Sequence, residues 1–88
     1  MDSFEVGPTM TITVKLFATL RKFLPPDAVK KAAILELSED ATTDAIVEML
    51  NIPDGQVHLI LIDGKHAVNG SPVHDGAVVS FFPAIAGG

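Results

Sequence analysis

Side chains able to do chemistry are few in this chain, and they are scattered. His58, His66 and His74 are the natural candidates for a metal centre or a general base. If Asp63-Gly64 is a two-residue hairpin turn, Ile62 faces Lys65, Leu61 faces His66 and His58 faces Asn69. Side chains alternate along a strand, so His58 and His66 then project from opposite faces and cannot share an ion. His74 falls in a turn with only acids such as Asp75 beside it, short of the ligand set that zinc takes. Ser3, Ser38, Ser71 and Ser80 stand in neither a nucleophile-elbow nor a Ser-x-x-Lys context. Gly64, Gly70 and Gly76 are spaced singly, as turn glycines are, rather than clustered in a phosphate-binding loop. Glu39 and Asp40 precede a helical pattern whose positive end accounts for them. Without cysteine there is no thiol nucleophile, no thiolate ligand and no disulfide. No catalytic constellation emerges from the interior.

What remains is the last stretch, "FFPAIAGG", Phe81 to Gly88. A carboxylate is ionised at neutral pH and is a poor electrophile, and a partner that converts a terminal one to an acyl-adenylate would make it reactive. Glycine lacks a Cβ, so Gly87 and Gly88 can pass a narrow channel and bring a carbonyl against a nucleotide or another backbone. Extended, residues 84–88 reach about 15–18 Å from their anchor.

That anchor must be a strand. "AVVSFF" (Ala77 to Phe82) reads as one, ended by Pro83, and adjacent Phe81 and Phe82 cannot both point inward along it. "TITVKLF" (Thr11 to Phe17) alternates strictly, with Ile12, Val14 and Leu16 on one face and Phe17 on the other. Leu20, Phe23 and Leu24 suggest one or two helical turns, stopped by Pro25-Pro26. "AAILELS" (Ala32 to Ser38) is a second short strand. The clearest helix follows, with Thr42 or Thr43 as cap, Asp44 in its first turn and an apolar stripe of Ala45, Ile46, Met49 and Leu50. Asn51 and Pro53 end it. "VHLILI" (Val57 to Ile62) is a central strand by its continuous apolar character, and Asp63-Gly64 turns it into "KHAV". The order β, short helix, β, α, β, β, β is an α+β layer architecture, with one main helix held on a single face of a sheet. One domain is expected, 10–83, with a loose leader at 1–9 and a flexible Gly-Gly tail at 84–88.

Gross composition narrows the class further. A net charge of −5 argues against a nucleic-acid footprint, which needs clustered Lys and Arg. Five of the six basic residues lie in residues 1–35, whereas residues 36–88 hold Lys65 against eight acids. The N-terminus has no basic region followed by an apolar core, and "LILI" is far short of a membrane span. The chain reads as a soluble, cytoplasmic protein.

The stretches "VKLFATLR" (Val14 to Arg21), "VNG" (Val68 to Gly70), "HDGAVVSFFP" (His74 to Pro83) and the terminal "AGG" resemble the MoaD/ThiS family of ubiquitin-like sulfur carriers, on the MoaD side. The resemblance covers about residues 10–88. It implies a β-grasp fold, a mixed sheet of about five strands on one main helix. It also implies that an E1-like adenylating enzyme of the MoeB/ThiF type uses ATP to adenylate Gly88, and that sulfur from a donor displaces AMP to leave a thiocarboxylate. The chain itself would bind no cofactor. Gly87 would give the tail access to partner active sites, and Phe81, Phe82, Pro83, Ala84, Ile85 and Ala86 would form the partner-binding base and stem of the tail, or the core beneath it. In the MoaD case the acceptor is the MoaE-type large subunit of molybdopterin synthase, a sulfurtransferase of which this chain would be the small subunit. Many members have Asp-Gly-Asp where this chain has Asp75-Gly76-Ala77, and Pro-Pro where it has Pro83-Ala84. Related carriers serve thiazole and cysteine synthesis, tRNA thiolation and protein conjugation, and a plain interaction module with an incidental tail is the alternative of a different class.

Overall fold

A computed structural model describes residues 8–29 and 32–84. The expected leader, apart from Pro8 and Thr9, and the tail residues Ile85, Ala86, Gly87 and Gly88 lie outside the described residues.

The strict alternation of the first stretch builds β1, Thr9–Leu16, in which Met10, Ile12, Val14 and Leu16 are buried. The strand begins two residues earlier than the pattern suggested and ends at Leu16, so Phe17 lies just past it. A 3-10 helix, Ala18–Phe23, follows and drops Leu20 into the core. It ends against the two prolines, whose fixed φ and missing N–H cannot continue it. Next come β2 (Ala32–Ser38), α1 (Thr43–Met49), β3 (Leu59–Ile62), β4 (Lys65–Ala67) and β5 (Val78–Phe82). The third and last strands are thus shorter than the apolar runs that announced them.

The five strands form one mixed sheet in the order β2-β1-β5-β3-β4. β1 runs antiparallel to β2 and parallel to β5, and β5 runs antiparallel to β3. β3 and β4 make the expected hairpin, pairing Ile62 with Lys65 and Leu61 with His66. Its two turn residues take left-handed backbone, Asp63 at φ 52° and Gly64 at φ 82°. This is the geometry that matches the twist of a two-residue hairpin and that Asp-Gly supplies cheaply. The expected pairing of His58 with Asn69 does not form, because β4 ends at Ala67.

One face of the sheet carries Ile12, Val14, Leu16, Ile60, Val79 and Phe81 against Ile46 of α1 and Leu50 and Ile52 just beyond it. Fully burying a side chain of this kind contributes roughly 1.5–3 kcal/mol. The helix departs from its expected stripe in two ways. Met49 is 50% exposed, whereas Thr43 is wholly buried, so the inward line runs Thr43, Ile46, Leu50. Neither threonine hydroxyl caps the helix. Instead the Thr43 N–H donates to the Ser71 carbonyl (3.0 Å), and the Thr43 hydroxyl accepts from the Gly70 N–H (2.9 Å). The helix start is thereby tied to the β4–β5 loop rather than closed on itself.

Candidate functional site

β5 is the third strand of five, and its final residues are held on both sides. The Phe17 N–H donates to the Phe81 carbonyl at 3.2 Å, and the His58 N–H donates to the Phe82 carbonyl at 2.8 Å. Pro83 has no N–H, so the ladder stops there. The base of the tail is therefore fixed by the centre of the sheet up to Phe82, and Pro83 is half-buried while Ala84 is exposed.

The two phenylalanines have opposite fates. Phe81 is completely buried, paired in register with Leu16 and Ile60. It therefore offers no surface to a partner, and its place in the expected partner-binding set is corrected to core. Phe82 points to the other face of the sheet. Its ring stacks on Phe17 with centroids 4.4 Å apart and planes at 7°. Leu59 stands directly opposite Phe82 in the register, on the same face. The outward rows continue with Lys15, Ser80, Leu61 and His66, and with Ile34, Thr13 and Val78. Among the described residues no helix covers this face, and Ile34 is 67% exposed on it. The result is an apolar patch at the root of the tail, built by Phe17, Leu59 and Phe82, with Lys15 as the nearest cation along β1.

Chemistry inside the domain is sparse, and the histidines do not converge. Among the described residues no group of three or more His, Asp or Glu is placed to hold a metal ion. Two shallow clefts, of about 170 Å³ beside Asp44, Asp54 and Asn69 and about 200 Å³ beside Asp27, Val29 and Ile34, bring together no nucleophile and base. Sequence reasoning missed one polar cluster. His74 reaches back to Asp63 in the hairpin turn, Nε2 to Oδ2 at 2.5 Å, and the other Asp63 oxygen accepts the Val78 N–H at 2.9 Å. The carboxyl of Asp63 is held below the ordinary carboxylate range by the Val78 N–H and then by His74. His74 is raised above the ordinary imidazole value by Asp63 and then by the Asp75 carbonyl.

A ladder of this order, with a helix on one face and a C-terminal segment leaving the central strand, defines a ubiquitin-like β-grasp protein. The chain belongs to the Mut7-C ubiquitin family, whose model matches residues 9–87. The HVO 2177 protein of Haloferax volcanii, solved in solution, is similar at 28% identity with a TM-score of 0.70, covering 100% of this chain and 94% of that one. Small archaeal modifier protein 1 of Haloferax volcanii matches at 23% identity and TM-score 0.62, covering 89% and 99% of the two chains. A Pyrococcus furiosus protein described as a putative molybdopterin converting factor subunit 1 matches at 21% and 0.64, covering 86% and 99%. The last two likenesses bear on fold. No curated protein sequence matches the chain. Among the described residues, no helix is long and apolar enough to cross a membrane.

Proposed function

We propose that this ubiquitin-like protein is a carrier of activated sulfur. An E1-like enzyme spends ATP to adenylate the Gly88 carboxylate, and sulfur from a donor displaces AMP to leave a C-terminal thiocarboxylate. The observation that carries this reading is the anchoring of β5: the chain is clamped at Phe81 and Phe82 and then runs into Pro83, Ala84 and a Gly-Gly ending. A tail rooted in a rigid strand keeps its end within reach of a surface at its base, and the Phe17–Leu59–Phe82 patch serves as that docking surface. The activating enzyme and the sulfur acceptor would both dock there, one after the other. The acceptor we favour is the MoaE-type large subunit of molybdopterin synthase, where two sulfurs become the dithiolene of molybdopterin.

A second reading, a protein modifier joined through Gly88 to lysines of targets, is favoured by the likeness to small archaeal modifier protein 1. Both use the same activated terminus. The test is intact mass of the chain co-expressed with an E1-like activator and a sulfur donor. A species with one oxygen replaced by sulfur is expected, and adding one residue after Gly88 abolishes it without unfolding the domain. Normal loading of the extended chain refutes the mechanism. Branched Gly88–lysine peptides in digests of host proteins identify the modifier instead. If partner binding and activity survive deletion of Gly87 and Gly88, the domain is a plain interaction module.

A further inference from the structure

We propose that His74 is a protonated clip that fastens the entry to β5 onto the β3–β4 turn, and that it opens as the pH rises. The geometry of its ring requires two donors. Nε2 lies 2.5 Å from the Asp63 carboxylate, and Nδ1 lies 2.9 Å from the Asp75 carbonyl oxygen. Both partners can only accept. A neutral imidazole has a single N–H, so only imidazolium satisfies the two contacts together.

The clip is one knot of a wider cluster at the end of the sheet away from the tail. Asp63 accepts the Val78 N–H at 2.9 Å, and its own N–H donates to the Val78 carbonyl at 2.8 Å. Asp75 Oδ1 accepts the Thr11 N–H at 2.8 Å, and the Gly76 N–H donates to the Thr11 carbonyl at 2.8 Å. The hairpin turn, the loop before β5 and the start of β1 are thereby joined through four short side-chain and backbone links. The charges facing His74 are Asp63 from the turn and Asp75 from its own loop; Lys65 faces Asp63 from β4. β1 contributes backbone only, through Thr11.

When the ring loses its proton to water, one nitrogen turns a lone pair towards an acceptor. Either the Asp75 carbonyl or the Asp63 carboxylate is left without its donor, and the contact becomes repulsive. The directions of the two shifts agree with this. His74 is raised, chiefly by Asp63, so its contribution to folding is complete below the unfolded imidazole value of about 6.5 and fades as the pH climbs through its folded value. Asp63 is lowered, chiefly by the Val78 N–H, so its contribution is present above the ordinary carboxylate value and is lost as the pH falls through its folded value. The clip is closed below the ordinary imidazole value and opens as the pH climbs through the raised folded value of His74.

The test is a ring-nitrogen NMR titration of the full chain between about pH 5 and pH 9, bracketing the imidazole range, with amide-exchange protection factors measured at the same pH values. The folded chain should titrate His74 above the same residue in the urea-unfolded chain. Asp63→Asn should remove most of that difference, leaving the smaller part due to Asp75. Protection of the Val78 and Thr11 amides should fall several-fold across the His74 titration. His74→Gln, which leaves Asp63 and its bond to Val78 in place, should make that protection independent of pH. Equal titration of His74 in the folded and unfolded chains overturns the clip. Flat protection of Val78 and Thr11 through the transition overturns its opening.

Discussion

Replacing Phe81 and Phe82 separately by alanine should split folding from docking at two adjacent positions. Phe81 is wholly buried between Leu16 and Ile60, so truncating it leaves a closed cavity and costs about 3–5 kcal/mol. Phe82 is half-buried on the outer face. Its truncation gives up part of a transfer term of roughly 1.5–3 kcal/mol and a ring stack worth about 0.5–1.5, but solvent fills the space, so about 1–2.5 kcal/mol is expected. With a urea slope near 1.5 kcal/mol/M, Phe81→Ala lowers the midpoint by about 2–3 M and Phe82→Ala by about 0.7–1.7 M. On the sulfur-carrier reading proposed above, loading by an activating enzyme should reverse the ranking. An aromatic anchor at the centre of an interface is worth about 2 kcal/mol or more, so folded Phe82→Ala should lose roughly 30-fold in kcat/KM. Phe81→Ala, assayed where it is still folded, should keep most of its rate per folded molecule. Unfolding curves and a mass-resolved loading assay on the same samples decide the matter. If Phe82→Ala loads at the unsubstituted rate, or the two variants destabilise equally, the assignment of the faces is wrong.

Two further substitutions probe the frame. Thr43→Val keeps the shape of a buried side chain but strands the Gly70 N–H, so a loss of about 1–3 kcal/mol is expected in denaturant, with Thr43→Ser retaining the bond. Ala18 holds left-handed backbone at φ 53°, which costs an L-residue about 1–2 kcal/mol. Ala18→Gly should relieve more than the roughly 0.5–1 kcal/mol it adds in chain entropy, raising Tm by about 2–4 °C in calorimetry, and a fall would contradict the strain.

Local chemistry made much of this fold legible. β1 could be read because alternation over Ile12, Val14 and Leu16 has one meaning when a single face is buried. The β3–β4 register could be read because Asp63-Gly64 admits one tight turn. The root of the tail was legible too, because two adjacent aromatics on a regular strand must part. What could not be read depends on partners far away in the chain. The pairings of β5 with β1 and with β3 leave no local mark; without the first nothing brings Phe17 to Phe82, and without the second nothing brings His74 to Asp63. The helix stripe was misjudged at Met49 for a related reason. With only seven residues, α1 is oriented by its ties to Ser71 and Gly70 rather than by its own apolar pattern.

The position of β5 also bears on how the protein is made. The last strand fills the gap between β1 and β3, so before it arrives the chain holds two separate two-stranded pairs with open edges. Such pairs are marginal alone in water, and contacts between distant strands are slow to form because the intervening chain must first be closed into a loop. During synthesis at about 5–20 residues per second, the sheet cannot close until Phe82 has left the ribosome. The segment Pro83 to Gly88 then emerges only behind a strand already needed for folding. A copy broken off before β5 would lack the middle of its sheet and would be exposed to proteolysis, so the population that survives to meet a partner is the one that carries its anchor strand.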